Sequence, residues 1–180
     1  MKLAKNLERL GTESAFSILA EAKKLEAQGK EMIHLGLGQP DFKSPKHVVE
    51  AAKKAIDDGH HGYVLSNGIL ECRQAVTRKI KKLYNKDIDP ERVLIMPGGK
   101  PTMFFAITIF GEPGAEIIHP TPGFPIYESM INYTGSKAIP YDLTEDKDLK
   151  FNPEKILSLI TEKTRLLILI NPNNPTGSFV

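Results

Sequence analysis

Apolar residues recur at helical spacing near the amino terminus, where Ala15, Ile18, Leu19, Ala22 and Leu25 follow the polar triplet Thr12, Glu13 and Ser14 and Gly29 ends the run. That spacing predicts an amphipathic helix. Ser44 and Pro45 supply a cap and a first-turn proline for a second helix, with Val48, Val49, Ala52 and Ile56 on its apolar face before Gly59. A third helix is predicted from Leu70 to Leu83, with Val76 and Ile80 inward and Arg73, Lys79 and Lys82 on the solvated face.

Beyond residue 92 the pattern shortens. Apolar runs at 93–96, 116–119, 137–141 and 166–170 predict strands, and helical patterns fill 102–110, 124–133 and 153–160 between them. Strand–helix alternation of this kind predicts an α/β fold: three layers around a mainly parallel sheet that these four strands share. Ligands are then expected beyond the carboxyl ends of the strands.

Composition narrows the function classes. A chain of 180 residues with 41% hydrophobic and 26% charged residues excludes wholesale disorder and collagen-like repeats. Lys and Arg total 24 against 22 for Asp and Glu, a formal charge of +2, which provides no basic footprint for nucleic acid. Cys72 is the only cysteine, so an internal disulfide and a multi-cysteine zinc site are excluded. No segment has the length of apolar run needed for a signal peptide or a membrane span, which makes a cytoplasmic location without membrane partners the expectation. His60 and His61 are adjacent and precede Gly62, an arrangement that suits a solvated turn and cannot place both rings on one helical face. His34, His47 and His119 are assigned no catalytic role, and no metal site is expected.

Two turn-rich segments fall at strand ends. Pro97-Gly98-Gly99-Lys100 runs from a predicted strand into a helix with Pro101 in its first turn. Two glycines let a backbone approach an anion, and the helix start supplies free N–H groups and a positive dipole end. A tight strand-to-helix turn would use the same pair. Leu94 and Pro101 stand where a nucleotide-triphosphate loop needs Gly and Ser or Thr, and Asp41 stands where a dinucleotide fingerprint starting at Gly36 needs its third glycine. The second segment, Asn171-Pro172-Asn173-Asn174-Pro175-Thr176-Gly177, combines amides able to bond a ligand with prolines that stiffen the loop.

These segments occur in fixed order with three others: Gly36-Leu37-Gly38-Gln39-Pro40-Asp41-Phe42, then Gly62-Tyr63 with Asn67-Gly68-Ile69-Leu70-Glu71-Cys72-Arg73, then Pro120-Thr121-Pro122-Gly123-Phe124-Pro125-Ile126-Tyr127. In this the chain resembles the class I/II aminotransferases, pyridoxal-phosphate enzymes of fold type I, with motifs nearest the aspartate aminotransferase branch. The resemblance implies a cofactor, pyridoxal 5'-phosphate, and amino-group transfer between an L-amino acid and a 2-oxo acid. It also implies roles by position. Gly98, Gly99 and Lys100 match the phosphate loop, Phe124 the aromatic stacked on the pyridine ring, and Asn174 the asparagine bonded to the ring hydroxyl. Gly38 matches a glycine whose backbone approaches the substrate carboxylate. Tyr63 matches a tyrosine that reaches the cofactor phosphate of a neighbouring subunit, implying a homodimer with shared sites. Ser14 and Lys100 match positions that hold the distal carboxylate of a dicarboxylic substrate, which points to aspartate with 2-oxoglutarate.

Family members run to about twice this length, consistent with a two-domain subunit. The resemblance therefore implies that residues 1–34 form a helical segment belonging to a small domain or dimer arm, and that 35–180 form part of a large cofactor-binding domain. The Schiff-base lysine is expected beyond Val180, so the 180 residues alone are expected to be inactive, with an apolar sheet edge left open. Two other functions share these early motifs: a fold type I lyase or decarboxylase acting on amino acids, and a non-catalytic aminotransferase-like sensor domain.

Overall fold

A computed structural model of the chain describes residues 2–11, 14–143 and 148–179, with side chains at 14–16 excepted. The chain divides into two compact units, Met1–Lys30 with Gly98–Val180, and Glu31–Pro97.

The first unit is built on a sheet of three parallel strands, β1 (Glu116–Thr121), β2 (Lys137–Asp142) and β3 (Thr164–Leu167), in the order β2-β1-β3. Helices α1 (Ser14–Ala27), α4 (Gly99–Phe110), α5 (Ile126–Thr134) and α6 (Pro153–Ser158) complete it. As the central strand, β1 is buried from Ile117 to Pro120, which explains its lack of apolar–polar alternation. On one face Ile117 packs with Ile107 of α4 and Tyr127, Met130 and Ile131 of α5. On the other, Ile118 packs with Tyr141, Leu143 and Ile156 of α6. Two helix ends have a visible local cause. Asn152 Oδ1 accepts from Glu154 N–H at 2.9 Å to start α6, and Gly135 at φ 85° closes α5. Arg9, at the end of the 3-10 turn Lys5–Arg9, donates to the carbonyls of Asn132 and Tyr133 at 2.8 Å and caps the same end of α5.

The second unit contains α2 (Lys46–Asp57), α3 (Leu70–Tyr84) and the short 3-10 turn Pro90–Arg92. The helices predicted from sequence are all present, but α2 leaves Val48, Val49 and Ile56 exposed.

Three expectations are corrected. Residues 93–96 form no strand among the described residues, and the Ile95 N–H donates instead to Asn67 O at 3.1 Å. The sheet therefore has three of the four expected strands. The last strand covers Thr164–Leu167 rather than 166–170, and Pro120 is the reason. After Ile168 N–H bonds Ile118 O at 2.9 Å, the next parallel rung requires an N–H at residue 120, which proline lacks. The Tyr141 hydroxyl donates to Ile168 O instead, at 3.1 Å. Finally, Arg73 is not on a solvated face. It is 2% exposed and donates to Gly68 O, Pro90 O and the Glu91 carboxylate at 3.1, 3.0 and 2.7 Å, so its charge is satisfied by the turn that follows α3.

Among the described residues β3 pairs only with β1, leaving its other edge beside a groove of about 240 Å³ lined by Met103, Ala106, Ile107, Leu167, Leu169 and Ile170. Phe105 and Ile109 of α4 are also exposed. An open strand edge flanked by apolar side chains recruits other chains. The 180-residue chain by itself is thus expected to self-associate in size-exclusion chromatography with light scattering. A monodisperse monomer at micromolar concentration would contradict this.

Candidate functional site

The α4 amino terminus and the loops after β1 and β3 form one neighbourhood in the first unit. Gly98, the N-cap of α4, has φ 99° and ψ 171°, a conformation open essentially to glycine alone. Apart from its chain neighbours, no atom of the described residues lies within 4 Å of where its Cβ would be, so the glycine serves backbone geometry and not close packing. The helix begins at Gly99, so the N–H groups of its first turn point out of its amino-terminal end, while Pro101 has no N–H to leave unsatisfied. Thr102 Oγ1 ties back to Gly98 O at 3.3 Å.

Phe124 stands next to this turn. Lys100 Nζ lies 5.6 Å from the centroid of its ring, within cation–π range. The ring also meets Tyr127 edge-on, with centroids 6.2 Å apart and planes at 85°, and packs partly against the core cluster around Ile107 and Ile131. Gly123 fixes the approach to Phe124, because a Cβ there would run into Pro120 O.

The loop after β3 is joined to the loop after β1. Asn173 is buried, and its Nδ2 donates to Pro122 O at 3.4 Å and Thr176 Oγ1 at 2.9 Å. Its neighbour Asn174 is exposed. Burial pushes the Tyr127 phenol up, and the Tyr141 phenol, which also feels Tyr127, up to about 12. Desolvation lowers His119, against opposing contributions from the Pro120 carbonyl and Glu128. All three are neutral near pH 7 and serve as packing and hydrogen-bonding groups.

The structure thus brings Gly98, Gly99, Lys100 and Phe124 together and sets Asn174 on a loop bonded to the Phe124 loop. Gly38 and Tyr63 belong to the second unit, both exposed, Tyr63 completely at 109%. Ser14 opens α1, and its side chain is outside the described residues. Gly123 and Asn173 carry contacts that motif position alone did not single out. Their only sequence signal was membership of the two loops that contain Phe124 and Asn174.

Residues 30–180 match the family described as aminotransferase class I and II. The chain belongs to that family. It is 33% identical over 98% of its length to an aspartate aminotransferase of Bacillus subtilis, and 33% identical over 99% to a (5-formylfuran-3-yl)methyl phosphate transaminase of Methanocaldococcus jannaschii; these matches cover 45% and 46% of the two relatives. Among solved structures, an alanine aminotransferase from Pyrococcus furiosus superposes with a TM-score of 0.91 at 31% identity, over 99% of this chain and 46% of that one. The chain therefore spans under half the length of the relatives it matches. The family is pyridoxal-phosphate-dependent, and the donor set fits that group: N–H donors with an ammonium for a phosphate, an aromatic face for a pyridine ring, an exposed amide for a ring hydroxyl.

No helix among the described residues is long and apolar enough to cross a membrane.

Proposed function

We propose that the whole protein is a pyridoxal-phosphate-dependent aminotransferase that moves an amino group between an L-amino acid and a 2-oxo acid. The observation that carries this reading is the α4 start with Lys100 poised over Phe124, an anion cradle adjoining an aromatic ring. Gly98, Gly99 and Lys100 hold the cofactor phosphate, Phe124 packs on its ring, and Asn174 donates to its ring hydroxyl. Bound there, the cofactor supplies the carbonyl that accepts the amino group and a ring that withdraws electrons from the reacting carbon. The Gly38 backbone approaches the substrate carboxylate, and the half-buried Phe124 keeps water from one face of the ring.

The complete exposure of Tyr63 in its own chain supports a homodimer in which it reaches the partner's phosphate site. Residues 1–34 and 35–180 then belong to a helical segment and a partial large domain, in a cytoplasmic protein. The lysine that condenses with the cofactor lies outside this chain, which is inactive alone.

For the substrate pair we favour aspartate and 2-oxoglutarate, supported by the aspartate aminotransferases among the relatives and by the placement of Lys100 at the ring. An ammonium bonded to the distal carboxylate is worth about 1.5–3 kcal/mol. Lys100→Ala in the full-length protein is therefore expected to lower the preference for aspartate over alanine, measured as the ratio of kcat/KM values, by about 10- to 100-fold. Equal losses on both amino acids would confine Lys100 to the phosphate and remove support for the dicarboxylic pair.

A further inference from the structure

We propose that Asn173 is a positioning residue, the head of a hydrogen-bond chain that locks the Asn174 loop to the Phe124 loop and so sets the two groups that grip the cofactor ring. The proposal rests on the cofactor reading above, and it deepens it by naming what holds the ring contacts in register.

Asn173 is 7% exposed in a loop whose neighbours at 171, 172, 174 and 175 are all exposed. Burying one amide in an otherwise solvated loop is unfavourable unless its bonds are made. Its donors are used across the fold: Nδ2 reaches Pro122 O, two residues before Phe124, and Thr176 Oγ1 within its own loop. From Thr176 the chain continues through the Ser178 hydroxyl at 2.7 Å, which donates to Leu149 O at 2.8 Å. Side chains at 173, 176 and 178 thereby connect three segments at the carboxyl ends of β1, β2 and β3. Backbone bonds close the same loop, with Asn173 N–H on Ser178 O at 2.8 Å and Gly177 N–H on Asn173 O at 2.9 Å.

Asn173 Oδ1, by contrast, is buried with no hydrogen-bond partner among the described residues. A buried acceptor left unsatisfied disfavours the fold. An amide that tolerates this on its oxygen side while using both bonds of its nitrogen is placed for the donor it provides. Serine or threonine lacks the reach of a second N–H, and aspartate would set a carboxylate against the Pro122 carbonyl, which can only accept. The arrangement therefore specifies a donor at 173, next to the residue that faces the ring.

The test uses full-length protein in wild-type form and with Asn173→Ala, Asn173→Asp, Thr176→Val and Thr176→Ser. Three quantities are measured: hydrogen exchange at the Gly177 amide without cofactor, the dissociation constant for pyridoxal phosphate, and the circular dichroism of the bound cofactor, which reports ring orientation. Asn173→Ala and Asn173→Asp are expected to accelerate Gly177 exchange, to weaken cofactor binding about tenfold and to reduce the cofactor's dichroism. Thr176→Val should reproduce them, and Thr176→Ser, which keeps the hydroxyl, should behave as wild type. Wild-type affinity and dichroism in Asn173→Asp would overturn the proposal, as would unchanged Gly177 exchange in both Asn173 variants. If Asn173→Ala fails to fold, Asn173→Asp and Thr176→Val decide the same question. Failure of wild-type protein to bind the cofactor would instead overturn the functional reading and with it the role toward the ring, while faster Gly177 exchange in the variants would still show the loop lock.

Discussion

Gly98→Ala in the full-length protein is expected to weaken pyridoxal-phosphate binding about 5- to 150-fold with little change in the melting temperature of the cofactor-free protein. The reason is conformational. Gly98 sits at φ 99° and ψ 171°, where an alanine is disfavoured by about 1–3 kcal/mol. Its Cβ would meet nothing within 4 Å among the described residues beyond its chain neighbours, so no core contact seen there is disturbed. The turn can relieve the strain by moving, which re-aims the first N–H groups of α4, and a phosphate held by those groups then loses its geometry. Titration of the variant, alongside a thermal melt, checks both halves of the expectation. Wild-type affinity in Gly98→Ala would show that this turn is only a connection between elements.

The opposite cause operates at Gly123. Its Cβ would collide with the Pro120 carbonyl oxygen and come within 3.3 Å of Pro120 Cγ, and Pro120 is fixed in the central strand. A backbone atom in a buried strand cannot move aside as a flexible side chain can, so the loop carrying Phe124 must. Gly123→Ala is expected to destabilise the protein by about 1–3 kcal/mol, in the range of core overpacking, and to weaken cofactor binding as well. Denaturant unfolding of cofactor-free protein measures the first effect. Unaltered stability would mean that the 122–124 turn yields more easily than its packing indicates.

The contrast between these glycines shows what the sequence made legible. Both stood in recognisable motifs; hydrophobic periodicity and strand–helix alternation were enough to expect a parallel α/β sheet with helices at α2, α3, α4 and α5, and the order of the motifs to expect a cofactor at the loops beyond its strands. That one glycine acts through its φ and the other through a neighbour's carbonyl depends on tertiary placement, which spacing does not encode. The same limit explains the misplaced elements. Residues 93–96 have the composition of a strand, but a strand needs a paired neighbour, and the Ile95 N–H is bonded to the Asn67 carbonyl instead. The end of β3 is set by Pro120, some fifty residues away in another strand, through the rung it cannot form with Ile168. Arg73 matched a solvated helix position because helical periodicity gives its face but not the Gly68 and Pro90 carbonyls that fold over it. Asn173 and Asn174 are chemically identical in sequence, and only burial separates the residue that locks the loop from the one left exposed.

The central claim, amino-group transfer, is tested most directly by following the nitrogen. Full-length protein is incubated with pyridoxal phosphate, aspartate carrying a labelled amino nitrogen, and 2-oxoglutarate, and the products are resolved by mass spectrometry. The account predicts labelled glutamate and oxaloacetate in equal amounts, with no release of labelled ammonia or of carbon dioxide tied to turnover. Labelled ammonia, or decarboxylated product without labelled glutamate, would contradict transfer and assign the same cofactor cradle to a lyase or decarboxylase.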